Sequence, residues 1–198
     1  LDPSYSHLYL CIGGTLAAVL CICDPLRAEA AQAVRALHDC GISRVVMMTG
    51  DNRRTAQAVA KAVGVDEVHA EVLPEDKAAF IRQAREEGHV VIMVGDGVND
   101  SPALSEADVG VAISTGAAIA QEIADITVSS EDLMALVTLR QLSCALMARI
   151  HRNYRFIIGF NCSLIGLGLI GILPPTTSAL LHNMSTLGIS MKSMTNLL

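Results

Sequence analysis

The chain has 198 residues, a formal net charge of −6 and a hydrophobic content of 52%. The acidic balance argues against a nucleic-acid partner, and the hydrophobic content is high for a soluble protein. The charges are unevenly distributed, because from Phe156 to Leu198 the only formally charged side chain is Lys192. This change in composition predicts a domain boundary.

The apolar part predicts two membrane spans. Residues 156–173 have about the length needed to cross a bilayer as a helix, roughly 20 residues at about 1.5 Å rise each. Residues 176–198 are long enough to return after Pro174 and Pro175, where a helix must stop. Arginines before the first span and Lys192 near the end of the second place both ends in the cytoplasm. We therefore expect an integral protein of the cell membrane, with the lipid bilayer as a partner and its polar part in the cytoplasm.

The polar part alternates two kinds of segment. Short runs rich in β-branched residues and bounded by Gly, Asp or Ser predict strands. Segments with apolar residues at spacings of three and four predict helices. The predicted strands cover residues 44–50, 90–97, 108–114 and 125–130, and the predicted helices cover 27–41, 53–64, 74–88 and 115–124. The alternation indicates an α/β fold with a mostly parallel sheet covered on both faces.

Two acidic glycine turns follow predicted strands, where α/β sheets bind their ligands. The residues of interest are Thr49, Gly50 and Asp51 in the first turn, and Asp96, Asn99 and Asp100 in the second. Both carboxylates of the second turn can converge on one hard cation, for which Mg²⁺ is the preferred choice. A hydroxyl and an unhindered N–H suit phosphate oxygens near a helix N-terminus, and Lys77 could add a positive charge.

Each of these features also has an ordinary structural interpretation. A Thr-Gly-Asp sequence is a common turn, Asp-Gly is a turn signal, and a lysine after Pro-Glu-Asp is usually a solvated residue of the first helical turn. The ordered set of all three, each at the end of a strand or the start of a helix, favours a functional site.

The segments TGDN (49–52), PEDK (74–77) and VGDGVNDSPAL (94–104) resemble the successive motifs of the phosphorylation domain of P-type ATPases. That resemblance implies a partial haloacid-dehalogenase-like Rossmannoid parallel sheet followed by a two-helix transmembrane hairpin. The heavy-metal transporting branch is the most similar. We expect residues 1–23 to end a nucleotide-binding domain, 24–148 to form the later part of the phosphorylation domain, and 149–198 to form the two membrane helices.

The resemblance implies transfer of the ATP γ-phosphoryl group to an aspartate, followed by hydrolysis coupled to ion movement, with ATP and Mg²⁺ as cofactors. By position, Asp96 would bind Mg²⁺ and Asp100 would support that site, while Asn99 would hold the turn and the phosphate. The transferred phosphoryl group would be bound by Thr49, Gly50 and Lys77, and Asp51 would orient the loop.

Three motifs of the family are missing from the sequence. It contains no Asp-Lys-Thr-Gly-Thr with the nucleophile, no Thr-Gly-Glu dephosphorylation loop and no membrane Cys-Pro. We therefore expect a segment of a pump that is inactive alone. Its expected partner is the missing N-terminal part, with the actuator, the nucleotide-binding domain and the other transmembrane helices.

Polar residues in the apolar part are candidates for the transported transition metal, which would be the substrate. The candidates are Asn161, Cys162, His182, Met184 and Ser185. Small polar residues could instead bind the helices together. The copper branch has Tyr-Asn and Met-x-x-Ser-Ser, where this chain has Phe160-Asn161 and HNMST (182–186). HNMST is closer to the His-Glu-Gly-Ser-Thr of the cobalt- and zinc-like branch, so a divalent metal is the first choice and Cu(I) the second.

Two other functions remain open at this point. A soluble haloacid-dehalogenase-like phosphatase would share the Thr, Lys and acidic positions, but it would normally keep its nucleophile and lack the apolar hairpin. A non-catalytic, membrane-anchored regulatory fragment would bind Mg²⁺ or phosphate without turnover.

Overall fold

The computed structural model describes residues 6–22, 25–95, 98–113, 123–128 and 132–196. Contacts between residues divide the chain into two compact units, Leu1–Val137 and Thr138–Leu198. The first unit opens with an antiparallel hairpin of β1 (Ser6–Ile12) and β2 (Thr15–Ile22), joined by a two-residue Gly-Gly turn. Large apolar side chains of the hairpin, including Leu10 and Ile12, are exposed.

The rest of the first unit alternates strands and helices. The strands are β3 (Val46–Met48), β4 (Glu67–His69), β5 (Ile92–Gly95), β6 (Val109–Ile113) and β7 (Ile126–Val128). The helices are α1 (Ala30–Asp39), α2 (Arg53–Val63), α3 (Pro74–Glu86) and α4 (Ser101–Glu106). Strand β3 pairs with β4, and β6 lies between β5 and β7, all in parallel.

This arrangement confirms the predicted α/β fold with a parallel sheet. Strand β4 was not predicted, since a three-residue strand of Glu, Val and His has no strong β pattern. The helix predicted over 115–124 falls mostly on residues 114–122, outside the described residues.

Local signals fix where the helices begin. The Asn52 side chain caps α2 by accepting a 3.0 Å hydrogen bond from the Thr55 amide. Helix α3 starts with Pro74, whose missing N–H costs nothing at that position. The Asp76 carboxylate then accepts a 3.2 Å bond from the Leu73 amide, one residue before the helix. Both helices therefore start directly after a turn at the edge of the sheet.

The core of the first unit lies where α4 packs on β6. The most buried side chains here are Ala103, Leu104, Val111 and Ala112, with Ile81 of α3. Gly110 allows this packing, because a Cβ atom at that position would stand 2.8 Å from the backbone oxygen of Leu104. The missing side chain thus sets the depth at which α4 can lie.

The second unit contains the remainder of α5 (Met134–Leu169), which begins in the first unit, and α6 (Pro175–Ser193). The two predicted membrane spans are not confirmed: no helix among the described residues combines the length and apolarity needed to cross a bilayer. The apolar run 156–173 is not one helix, since α5 ends at Leu169 and a turn follows. Helix α6 carries many hydroxyl and amide side chains along its length.

We expect Gly110→Ala to destabilise the packing of α4 on β6. The new methyl group would clash with the backbone of Leu104 inside the packed core. Overpacking of this kind costs about 1–3 kcal/mol. Hydrogen exchange of the amides in 101–113 should therefore become faster. Gly159→Ala is the control, because a Cβ atom there meets nothing within 4 Å. Unchanged exchange in Gly110→Ala would contradict this account of the core.

Candidate functional site

The first predicted turn lies at the carboxyl end of β3. The Thr49 hydroxyl donates to Asp51 Oδ2 over 2.8 Å and accepts a 3.1 Å hydrogen bond from the Asp51 amide. The Thr49 carbonyl accepts a bond from the Val72 amide at 3.0 Å. Gly50 leaves its side-chain position open: among the described residues, a Cβ atom there would meet only the Val72 backbone oxygen, at 3.9 Å. The turn is thus held from within, and an incoming group can approach its backbone.

Helix α2 begins immediately after this turn, with Asn52 as its cap. The positive end of the helix dipole therefore points toward Thr49 and Gly50, and it favours an anion there. A phosphate-binding role for these two residues stays a prediction.

The second feature is an ion pair between Lys77 and Asp100. Lys77 Nζ lies 2.8 Å from Asp100 Oδ1, and the two side chains are only 16% and 13% exposed. Lys77 stands in the first turn of α3, while Asp100 ends a 3-10 turn, Val98–Asp100, that leads into α4. An ammonium group has three donors, so this bond leaves two that an anion can use.

Gly95 brings Asp100 to the end of β5. A Cβ atom on Gly95 would lie 2.7 Å from Asp100 Cβ and 2.9 Å from Asp100 Oδ2, closer than such atoms can stand. The last residue of β5 must therefore lack a side chain for the Asp100 carboxylate to turn back onto the strand. The sequence analysis assigned no role to Gly95, although its place before the acidic turn was visible.

The structure brings some predicted residues together and leaves others apart. It joins Lys77 to Asp100, whereas the sequence analysis assigned them to phosphate and to Mg²⁺ respectively. Asn99 is exposed in the 3-10 turn, and Asp96 lies outside the described residues. In the described part of the chain, no hydrogen bond links the Thr49–Asp51 turn to the Lys77–Asp100 pair.

The donor chemistry of this region fits Mg²⁺ held by few protein ligands. Mg²⁺ needs one or two carboxylates and completes its shell with water and phosphate oxygens. Asp100 uses Oδ1 for Lys77, and no described donor bonds to Oδ2. Across the described ranges, no group of three or more His, Cys, Asp or Glu side chains could hold a metal ion. A bound phosphate would therefore have to supply part of the coordination shell.

Two arginines that the sequence analysis missed tie α3 to α4 and β6. Arg82 lies 2.9 Å from the Glu106 carboxylate, and Arg85 Nε lies 3.0 Å from Asp108 Oδ1. The hydrogen bond from Arg82, with its charge, lowers the pKa of Glu106. These contacts position the helix that carries Lys77 against the one that follows Asp100. No local pattern reveals pairs so far apart along the chain.

In the second unit, the structure brings together two of the predicted metal candidates. His182 Nδ1 lies 2.8 Å from Asn161 Oδ1. An amide oxygen accepts hydrogen bonds, so in the tautomer that satisfies this contact Nδ1 donates to Asn161 and Nε2 is the nitrogen left for a metal ion. The hydroxyls of Ser185 and Thr186 both donate to the His182 carbonyl, at 2.8 and 3.0 Å.

The two sulfur candidates are not part of this arrangement. The Cys162 thiol is free and exposed, and Met184 is 62% exposed. Neither makes a hydrogen bond to His182 or Asn161 among the described residues. The pair therefore has Nε2 as its possible metal ligand, while Nδ1 contacts the Asn161 amide. No sulfur ligand belongs to it.

Comparison with known proteins supplies the family. Residues 5–108 match the family described as "Hydrolase: haloacid dehalogenase-like hydrolase". The chain is 47% identical over 176 residues to "Copper-transporting ATPase 2" of Rhizobium meliloti (strain 1021), covering 89% of this chain and 21% of that protein. It is 41% identical over 183 residues to the "Zinc-exporting P-type ATPase" of Mycobacterium marinum (strain ATCC BAA-535 / M), covering 92% and 25%.

A solved structure is also similar over most of the chain. The crystal structure of a zinc-transporting PIB-type ATPase in the E2.Pi state matches with a TM-score of 0.85 and 30% identity, over 96% of this chain and 31% of that one. The chain thus spans about a fifth to a quarter of the length of the curated relatives it matches. On this evidence the chain belongs to the haloacid dehalogenase-like hydrolase family, and it is similar in sequence and structure to a segment of metal-transporting P-type ATPases.

Proposed function

We propose that the chain is a segment of an ATP-driven transition-metal pump and that its first unit holds a phosphoryl group during turnover. The observation that carries this proposal is the largely buried Lys77–Asp100 pair, where Gly95 leaves room for the carboxylate. The relatives named as metal-transporting ATPases support it. The parent protein would include the actuator domain, the nucleotide-binding domain and the remaining helices.

The proposed reaction has two steps. An aspartate carboxylate elsewhere in the parent attacks the γ-phosphorus of ATP, the bond to the bridging oxygen breaks, and ADP leaves. Water then attacks the phosphorus of the aspartyl phosphate, which releases inorganic phosphate and restores the carboxylate. Catalysis of such transfers comes mainly from positioning and from stabilising the charge on the phosphoryl oxygens.

The described residues would divide this work between them. Lys77 would keep one N–H on Asp100 and offer its other two to phosphoryl oxygens. The Thr49 hydroxyl would turn from Asp51 to the phosphate. The phosphate would lie against the Gly50 backbone, at the N-terminus of α2. Asp51 would orient the loop, and Asn99 would hold the second turn. Mg²⁺ would be bound by Asp100 and by Asp96, which lies outside the described residues.

For the transported ion, the proposal favours a divalent transition metal over Cu(I). Nε2 of His182 would be the ligand atom, with Nδ1 donating to Asn161 Oδ1, 2.8 Å away, and so orienting the ring. Imidazole with oxygen neighbours suits zinc-like ions, whereas Cu(I) prefers thiolate and thioether. Ser185 could add an oxygen, and Cys162 or Met184 would have to reorient to contribute. The relative named for copper is 47% identical to this chain and the one named for zinc is 41% identical. Both values are averages over the whole aligned segment, so they do not single out the residues that would bind the metal.

The proposal also places the second unit in the cell membrane and the first in the cytoplasm. Large apolar side chains are exposed along both of its helices; they include Phe156, Ile158, Ile165, Leu180 and Leu187. Such a surface needs cover, which lipid and the parent's other helices would provide. Residues 1–23 would remain the end of the nucleotide-binding domain, 24–148 the phosphorylation domain and 149–198 the membrane helices.

We expect Lys77→Gln in the full-length parent to lower the phosphoenzyme formed from ATP by at least about tenfold, because the charge that faces the phosphoryl group is lost. Labelling with γ-phosphate-labelled ATP in the presence of Mg²⁺ and the transported metal measures this. The matched control is Lys61→Gln, which removes the same charge from the last turn of α2. Equal labelling of the two variants would show that Lys77 does not hold the phosphoryl group.

Gly95→Ala should weaken the response to Mg²⁺. The added methyl group pushes Asp100 away from the end of β5, so the Mg²⁺ concentration for half-maximal phosphoenzyme should rise by about tenfold or more. Val94→Ala changes the same strand without a clash and should behave like the wild type. If Gly95→Ala kept the wild-type Mg²⁺ dependence, Asp100 would not be a magnesium ligand.

The metal proposal predicts a graded effect at His182 and Asn161. ATP hydrolysis should be stimulated by one divalent ion among Zn²⁺, Co²⁺, Ni²⁺, Mn²⁺ and Fe²⁺, with Cu⁺ tested for comparison. His182→Ala should abolish that stimulation. Asn161→Ala should raise the required metal concentration about 10–100-fold, as loss of a partner that orients a ligand does. His151→Ala is the control on the same helix pair.

Two outcomes would contradict these assignments. Stimulation by Cu⁺ alone would show the divalent preference to be wrong. A wild-type metal response in His182→Ala would leave the histidine with a packing role only.

A further inference from the structure

The second unit has an unusual charge composition. From Thr138 to Leu198 the sequence contains no aspartate or glutamate, and its lysine and arginine residues are Arg140, Arg149, Arg152, Arg155 and Lys192. In the first unit, by contrast, cations such as Lys77 and Arg82 pair with carboxylates. No side chain of the second unit can neutralise its cations in this way, so any anion that pairs with them belongs to another part of the chain or to a ligand.

Several of these cations border one small pocket between the middle of α5 and the end of α6. The residues lining it are Arg149, Arg152, Asn153, Lys192, Ser193 and Thr195. Asn153 Nδ2 donates to Ser193 Oγ at 2.9 Å, which joins the two walls directly. The pocket is therefore built by side chains of both helices.

Arg149 forms the frame of this pocket. Its guanidinium donates to the carbonyls of Ser193, Thr195 and Asn196 at 3.1, 2.6 and 2.5 Å. The Ser193 carbonyl belongs to the last turn of α6, where the helix dipole is negative, and the other two carbonyls follow directly after the helix. Arg149 thus stabilises the end of α6 and has few donors left for a ligand.

Arg152 and Lys192 are left to face the pocket without a counter-ion. In the part of the chain that the structure describes, neither forms an ion pair. The Ser193 hydroxyl accepts from Asn153, so its own hydrogen is available as a third donor. A forked guanidinium, an ammonium group and a hydroxyl form a donor set that suits a phosphate group.

The surroundings of the pocket are apolar. Close in sequence to the lining residues, large apolar side chains are exposed on both segments: Ile150, Tyr154 and Phe156 on α5, and Met191 and Met194 at the end of α6. A soluble anion would use the cations but not this surface. A ligand with a phosphate head and hydrocarbon chains would use both.

We propose that this pocket binds the phosphate of an anionic phospholipid, with Arg152 and Lys192 as its charged ligands and Ser193 as a neutral donor. Basic pockets between helices at a membrane surface are suited to such head groups. The proposal rests on the proposed function in one respect, namely that the second unit lies in a membrane. Anionic lipid would then supply the counter-charge that the sequence of the unit lacks.

The test uses the full-length parent in neutral detergent, titrated with phosphatidylglycerol or with phosphatidylcholine of the same chains, with bound lipid counted by native mass spectrometry. The wild type should prefer phosphatidylglycerol. Arg152→Gln and Lys192→Gln should each weaken its binding about fivefold, the effect of roughly one basic residue near an anionic surface, and should leave phosphatidylcholine binding unchanged. Arg155→Gln removes the same charge one turn along α5, outside the pocket, and should retain wild-type binding.

Three results would overturn the proposal. The first is equal binding of the two lipids by the wild type. The second is an equal loss in Arg155→Gln, which would indicate diffuse charge rather than a pocket. The third is displacement of phosphatidylglycerol by millimolar inorganic phosphate, which would assign the pocket to a free anion.

The phosphoenzyme of the wild type, measured in the same neutral detergent without phosphatidylglycerol, separates the two levels of inference. Phosphoenzyme without lipid preference would refute only the lipid site. Lipid preference without phosphoenzyme would refute the pump and leave the lipid site in place.

Discussion

The arrangement of the first unit depends on the ion pair between Lys77 and Asp100. Two charges that are largely withdrawn from water are stable only when they face each other, so the pair fixes α3 relative to the turn before α4. Gly95 leaves the space that this contact requires. Further along α3, Arg82 pairs with Glu106 at the end of α4, and Arg85 pairs with Asp108, directly before β6. The pair at the site is therefore part of a longer contact between α3 and the α4–β6 edge.

The sequence predicted the elements of this unit better than their contacts. Runs of β-branched residues located β3, β5, β6 and β7, and apolar residues at spacings of three and four located the helices α1 to α3. It did not predict that Lys77 bonds Asp100, since side-chain pairing depends on how α3 packs against α4. The two membrane spans were predicted from apolar length, the Pro174-Pro175 break and the family resemblance, and no described helix is both long and apolar enough to support them. Backbone termination at Leu169 is a three-dimensional feature that hydropathy does not record.

The two units neutralise charge in different ways. The first is acidic, and several of its cations pair with a carboxylate of the same unit: Arg44, Lys77, Arg82 and Arg85. The second has no carboxylate from Thr138 onward, and Arg149 instead uses the carbonyls at the end of α6. Carbonyl dipoles can satisfy hydrogen bonds but carry no net charge. The second unit thus keeps a positive charge that only an external anion can balance.

The same lack of carboxylates bears on the metal. A site for a divalent cation made only from this unit would contain the His182 ring and amide or hydroxyl oxygens, and its negative ligand would have to be a cysteine thiolate such as that of Cys162, since the unit has no Asp or Glu. Neutral donors would not offset the cost of stripping water from a doubly charged ion in an apolar setting. Hydrogen bonds from Ser185 and Thr186 to the His182 carbonyl hold the backbone at this point, which orients the ring but adds no charge. A divalent ion bound to His182 therefore needs either the Cys162 thiolate, after reorientation, or an anionic ligand from another part of the parent protein.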